Sequence, residues 1–286
     1  MKFVPHEYQK YCIDRMITDD KLGLMLDMGL GKTIITLSAI ADLKFNRFEV
    51  GKVLIIAPKK VAEATWTDEI AKWDHLSLLK TSLVLGGLQK RIKALAKTSD
   101  IYVINRENVT WLVDYYKNAW PFDMVVLDEW SSFKNHQSKR FKSLKVIRNK
   151  ITRIAGLTGT PAPNGLIDLW AQLYLLDQGE RLEKTIGKFR ERYFEPGQRS
   201  RTVIFNYDAK EGSNEAIHEK ISDICISMKA EDYLELPDII YEQVPVVLDS
   251  KAKKSYDELE KKAILELEDT EITVANAAAL SNKLLQ

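Results

Sequence analysis

A chain of 286 residues is long enough to bury a sizeable core, and its 45% apolar and 29% charged content excludes disorder and collagen-like or repeat architectures. With 42 basic and 41 acidic residues the formal net charge is +1, which excludes nucleic-acid binding by global charge and leaves it to local patches and backbone amides. Cys12 and Cys225 lie far apart with no CxxC or matched histidine spacing, against a disulfide scaffold or zinc site, and no secretory leader or long apolar span appears.

In chain order, the runs LGLMLD, KVLIIAP, SLVLG, IYVIN, DMVVLDE and RIAGLTG alternate with segments of helical period from Leu22 to about Leu176. That rhythm predicts an α/β fold with a parallel sheet flanked by helices. Ala62, Trp66, Ile70 and Trp73 fall at helical spacing and predict one buried stripe. Residues 1–176 therefore read as one lobe. After about Asp177 the sequence turns polar, irregular and aromatic-rich, and 177–238 reads as a mainly helical accessory insertion. Residues 239–286 read as a strand, IIYEQVPVVL, then a charged helix with favourable pairs Asp257 to Lys261 and Glu258 to Lys262. The closing VANAAALSNKLLQ keeps helical period to Gln286 without a stop signal, so the natural protein is expected to continue.

Two motifs carry chemistry. LGLMLD runs into MGLGKT and then into the helical IITLSAIADL, the strand, glycine loop and helix order that phosphate binding needs. Gly29 and Gly31 let backbone N–H groups point at phosphates, Lys32 would bridge the β and γ phosphates, and the Thr33 hydroxyl suits Mg²⁺. The bland reading is a glycine turn before a helix, and the strict loop pattern would place glycine at Leu26. About a hundred residues on, MVVLDEW ends a strand with two carboxylates. Asp128 would hold Mg²⁺ and Glu129 would orient and deprotonate the attacking water, although acidic residues also cap helices at such points.

The ordered set resembles the Swi/Snf-like branch of the superfamily-two helicases and translocases. VPHEYQ is similar to the adenine-reading Q motif through Gln9, and DMGLGKT to motif I, so Asp27, Met28, Gly29, Leu30, Gly31, Lys32, Thr33 and Ile34 are the expected nucleotide contacts. APKKV with Trp66 and Trp73 resembles motif Ia, VINREN segment Ib, DEWSSFKN the DEAH-like box, and LTGTPAPNGLIDLW motif III. Similarity covers about residues 5 to 176, weakly also MKAEDYLELPD. Trp130 and Ser131 stand where the family commonly has Ala and His, and no spacing argument makes His136 a substitute.

The resemblance implies a RecA-like P-loop NTPase lobe using ATP and Mg²⁺, with duplex DNA and a second RecA-like lobe as partners. The arginine finger would lie on that second lobe, after residue 286, so this chain is expected to bind nucleotide and hydrolyse it slowly. Backbone contacts should dominate in a motor that walks on any sequence. The nominated residues are Lys59, Lys60, Asn105, Arg106 and Lys134, each of which is otherwise an ordinary solvated group. Arg190, Arg192, Arg199 and Arg201, interleaved with Phe189, Tyr193 and Phe194, could clasp DNA or form an amphipathic surface helix. Thr158, Gly159 and Thr160 would couple the ATP site to DNA, the alternative being a strand-ending turn fixed by Pro161 and Pro163. The leading function is an ATP-driven translocase or remodeller of double-stranded DNA. The competing readings are an ATP-gated DNA clamp with little turnover, and an unrelated P-loop kinase or AAA-type ATPase, against which LTGTP speaks. The expected setting is a monomer without membrane partners, in the cytosol of a bacterium or phage-infected cell, or in the nucleus of a eukaryote.

Overall fold

The computed structural model describes residues 1–162, 165–198, 204, 206–234, 250, 253 and 257. Each of the six predicted runs forms a strand: β1 (Lys21–Leu26), β2 (Val53–Ala57), β3 (Thr81–Val84), β4 (Ile101–Asn105), β5 (Met124–Asp128) and β6 (Arg153–Thr158). A hairpin pairs β7 (Phe194–Pro196) with β8 (Tyr207–Ala209), and β9 (Cys225–Met228) follows. The main sheet has the order β3-β4-β2-β5-β6-β1-β9, and every pairing in it is parallel.

Parallel strands require crossovers, and the helical segments supply them. They are α1 (Glu7–Thr18), α2 (Lys32–Ala41), α3 (Trp66–Lys72), α4 (Leu88–Leu95), α5 (Val109–Tyr116), α6 (Lys139–Ile147), α7 (Leu169–Asp177), α8 (Ile186–Tyr193) and α9 (Ser213–Ile221). Between the edge strands β3 and β9, the strands are buried on both faces and read as near-continuous apolar runs, and alternate residues serve opposite cores. Leu54, Ile56, Val125 and Leu127 pack with α5, α6 and α7. Val53, Ile55, Val126 and Leu157 pack with α1, α2 and α3. Of the predicted stripe, Ala62, Trp66 and Ile70 are buried, while Trp73 is half-buried against Phe3. A wider π-helical turn over Val61–Thr65 precedes α3.

The segment read as an accessory insertion is instead built into this unit. Its strand β9 pairs with β1, extending the sheet, and Phe189, Tyr193, Phe194, Ile217 and Ile221 join the core that α5 to α7 form. The compact unit runs Met1–Leu236, with no break at residue 176. Residues 237–286 form a second unit, and the predicted strand at 239–248, the two i,i+4 pairs and the terminal helical pattern lie outside the described residues.

Both cysteines are free, and burial pushes their thiols up to about 11 for Cys12 and about 12 for Cys225. Among the described residues no helix is long and apolar enough to cross a membrane, and no group of three or more His, Cys, Asp or Glu forms a metal cluster. Because every main-sheet strand runs the same way, Leu26, Ala57, Asn105, Asp128 and Thr158 end on one carboxyl edge, where such sheets bind ligands.

Candidate nucleotide site on the carboxyl edge

The loop after β1 turns through two left-handed glycines, Gly29 at φ +88 and Gly31 at φ +78. Side chains are disfavoured there. A Cβ on Gly31 would also stand 2.7 Å from Gln9 Nε2, so glycine lets α1 lay Gln9 on the loop. Gln9 is buried, and its Oε1 accepts the His6 backbone N–H at 3.0 Å, closing a capping box. Gln9 therefore lies against the glycine loop. Leu30 is buried beneath the loop and Met28 stands 88% exposed at its tip.

The α2 helix begins at Lys32, and a cavity of about 300 Å³ is lined by Met28, Gly29, Gly31, Lys32, Thr33, Ile34 and Glu69. Glu69 reaches it from α3, where it also accepts the Trp73 indole N–H at 2.7 Å. Lys32 Nζ donates to the carbonyls of Leu26 at 2.6 Å and Asp27 at 3.1 Å, so the ammonium is folded across the loop. Burial holds its pKa below the usual lysine value, against the pull of Glu129, Asp128 and Asp27. Asp27 closes the other side: its Oδ2 accepts the Ala230 N–H at 2.9 Å, tying the loop to the segment after β9.

At the end of β5, Asp128 is half-buried, and burial raises its pKa above the ordinary carboxylate value. Two donors oppose that shift. The Trp66 indole N–H reaches Oδ2 at 3.0 Å and the Glu129 backbone N–H reaches Oδ1 at 3.0 Å. Glu129 follows in the left-handed region, φ 51 and ψ 56, an unusual conformation for a non-glycine residue. Its Oε1 accepts the hydroxyls of Ser131 at 2.9 Å and Thr158 at 3.4 Å. Thr158 Oγ1 in turn accepts the Thr160 N–H at 3.1 Å, and a Cβ on Gly159 would lie 3.4 Å from the Leu26 carbonyl and 3.8 Å from Lys32 Nζ. Thr158, Gly159 and Thr160 thus touch both carboxylate and lysine sides of the site.

Two adjacent carboxylates facing one lysine leave an excess of negative charge, and carboxylate with hydroxyl oxygen is the donor set a hard divalent cation takes. The Thr33 hydroxyl and the Asp128 carboxylate are oxygen donors of the kind Mg²⁺ takes.

Other sequence expectations divide. Lys59 and Lys60 are exposed at the end of β2. Arg106 pairs with Glu107 at 3.1 Å and Lys134 with Asp168 at 3.3 Å. Asn105 is 8% exposed, donates to Glu107 at 2.8 Å and accepts from Asn108, so a local network holds it inward, away from a backbone ligand. Phe189, Tyr193 and Phe194 are core residues and offer no stacking face for bases. Arg190 lies over the Tyr207 ring and Arg192 pairs with Glu183 at 2.6 Å. Arg199, Arg201 and Pro163 lie outside the described residues.

Trp130, one of the two departures in the DEWS box, is fully buried in the core beneath the carboxyl edge. A Cβ on Gly156 would stand 2.4 Å from its ring and one on Gly23 2.9 Å, so both sheet glycines are cut to this indole. Its Nε1 donates to the Gln172 carbonyl at 3.1 Å, and Gln172 Nε2 donates to the Pro161 carbonyl at 2.6 Å. The other departure, Ser131, holds Glu129.

The chain is 34% identical over 290 residues to protein p41 of Acyrthosiphon pisum secondary endosymbiont phage 1, covering 99% of this chain and 63% of that one. It is 33% identical over 180 residues to helicase ssl-1 of Caenorhabditis elegans, covering 59% of this chain and 7% of that one. Among solved structures, the Sulfolobus solfataricus SWI2/SNF2 ATPase core in complex with dsDNA superposes with a TM-score of 0.66 at 23% identity, covering 99% of this chain and 58% of that one. The chain thus spans under two thirds of the phage relative and a small part of the eukaryotic one. With the model of the SNF2-related domain matching residues 8–286 and a seven-stranded parallel sheet of the same fold as that ATPase core, the chain belongs to the SNF2-related domain family.

Proposed function

We propose that this chain is the ATP-binding lobe of a DNA-dependent ATPase that translocates on or remodels double-stranded DNA. The observation that carries the proposal is a glycine-loop cavity lined by Lys32 and Thr33, with Asp128 and Glu129 within electrostatic reach of Lys32 and Thr158 hydrogen-bonded to Glu129. Gln9 and the loop from Asp27 to Ile34 bind the nucleotide. Lys32 exchanges the carbonyls of Leu26 and Asp27 for phosphate oxygens, a charge-assisted contact. Thr33 and Asp128 would hold Mg²⁺, which would supply neutralisation of phosphate charge. Glu129 orients the attacking water and takes its proton, with Ser131 and Thr158 fixing its carboxylate.

Duplex DNA is the partner proposed for the carboxyl edge, with Lys59, Lys60, Arg106 and Lys134 on phosphates. A second RecA-like lobe is the other partner, supplying the arginine that stabilises transition-state charge. The experiment is a nucleotide titration of the 286-residue chain together with steady-state Mg-ATP turnover, with and without duplex DNA. Lys32→Ala is expected to weaken ATP binding roughly 10- to 100-fold, the loss of one buried charge-assisted hydrogen bond. Turnover by the chain alone should stay near background and rise with DNA only when a second lobe is present. Unchanged affinity in Lys32→Ala would remove the cavity as the nucleotide site. Fast DNA-independent turnover would remove the two-lobe reading, and a two-lobe protein that binds DNA without hydrolysis would make it a clamp.

A further inference from the structure

Between Trp130 and Ile167 the sequence holds eight basic residues and no acidic one, in a chain of net charge +1. Internal partners engage half of them. Arg148 is buried and donates to the carbonyls of Leu175, Ile151 and Leu176, and Arg153 donates to the Ile17 carbonyl and to Glu49. Lys150 bonds the carbonyls of Lys117 and Asn118, and Lys134 pairs with Asp168. The remaining four, Lys139, Arg140, Lys142 and Lys145, all belong to α6.

Arg140 differs from its neighbours. The lysines at 139, 142 and 145 are exposed, whereas Arg140 is half-buried and its Nε is shielded from solvent without a hydrogen-bond partner. Among the described residues no carboxylate forms an ion pair with its guanidinium, which lies 5.8 Å from the Phe133 ring centroid. An unpartnered, partly desolvated cation lowers the stability of the free protein. A second guanidinium, that of Arg106 at the end of β4, lies within electrostatic reach. Burial and then Arg106 push the Arg140 pKa down, with Glu107 opposing. Glu107 is already shared, since its carboxylate accepts from both Arg106 Nε and Asn105 Nδ2. Two guanidinium groups facing one carboxylate leave positive charge uncompensated on the carboxyl edge.

The ligand chemistry follows from the donors. A guanidinium offers a planar fork that matches phosphate oxygens two at a time, and like-charged forks come together where a bound anion relieves them. Lys139 and Lys142, three positions apart on one exposed face of α6, add charge on the same helix, which fits a polymer of phosphates better than a single small anion. We propose that Arg140 and Arg106, flanked by Lys139 and Lys142, form a clamp for the phosphodiester backbone of duplex DNA. The clamp rests on the reading of this edge as a DNA-binding face and adds α6 to it.

The test is fluorescence anisotropy of a labelled duplex with the 286-residue chain across a salt series, beside nucleotide titration and thermal melting. Arg140→Met should weaken duplex binding roughly tenfold and flatten the slope of log K against log salt by about 0.9, the loss of one phosphate contact. It should also raise Tm and leave nucleotide affinity unchanged, because the substitution removes an unpartnered cation that makes none of the hydrogen bonds holding Lys32. Lys139→Ala with Lys142→Ala, both exposed and so safe for folding, should flatten the slope further. Wild-type affinity and slope in both variants overturn the clamp. So does a fall in Tm with loss of nucleotide binding in Arg140→Met, which makes Arg140 structural. A wild-type chain that binds no duplex at salt well below physiological removes the DNA-binding face itself, a separate result.

Discussion

Trp130→Ala is expected to destabilise the compact unit by about 3–5 kcal/mol, the cost of emptying a fully packed aromatic site. That is a large part of the roughly 5–15 kcal/mol by which such domains are stable. Relaxation can fill the space only in part, because two of its neighbours are strand glycines that hold no side chain to move inward. Removing it also takes the donor from the Gln172 carbonyl, and Gln172 anchors the Pro161 loop that follows Thr158 and Thr160. The complementarity between ring and glycines is open to a direct check by denaturant melts of a double-mutant cycle. Gly156→Ala alone forces a Cβ to 2.4 Å from the ring and should cost about 1–3 kcal/mol or more. In the Trp130→Ala background the same change should cost little, since the methyl enters the vacated space. Costs that add to within about 0.5 kcal/mol would mean the two residues do not sense each other.

What the sequence made legible, and what it did not, follows from the range of the interactions. Five of the six strands were readable because each is buried on both faces, and the edge strand β3 was readable from its short apolar run, so no partner was needed to identify them. The phosphate loop was readable because a backbone that turns through φ near +80 twice requires glycine at Gly29 and Gly31. β9 escaped because Cys225–Met228 is four residues long and only Ile226 among them is buried, so nothing distinguishes it before it meets β1. The Trp66 contact with Asp128 spans 62 positions, and the indole's part in holding the carboxylate has no local signal. Asn105 shows the opposite limit: its position at a strand end was clear, but the direction of its amide depended on Glu107 and Asn108. Phe189 and Tyr193 sit at helical spacing, which suits a core face equally well as a stacking surface, and packing decided for the core. The boundary at residue 176 failed for the same reason as β9, since a change in composition is not a change in what a segment packs against.

Glu129→Gln should lower steady-state ATP turnover of a two-lobe protein on duplex DNA by about 10²–10⁴, the range for a positioned general base, while nucleotide affinity stays within about twofold. The substitution is close to isosteric and keeps an oxygen that can accept from Ser131 and Thr158, so the hydrogen-bond geometry around Oε1 survives and only basicity is lost. Glu129 also sits in a backbone region that costs energy for a residue with a side chain, and such strain concentrates where a group must be aimed. Two hydroxyls hold the Glu129 carboxylate at one oxygen, Oε1: Ser131, two residues on in the DEWS box, and Thr158 at the end of β6. Ser131→Ala is therefore expected to lower turnover less than Glu129→Gln does, because the base remains and only one of its two supports is gone. Turnover within about threefold of wild type in Glu129→Gln would place the base elsewhere. Loss of nucleotide binding by the same change would instead show that Glu129 serves the ground state, and that the hydroxyls of Ser131 and Thr158 brace the nucleotide pocket rather than a catalytic group.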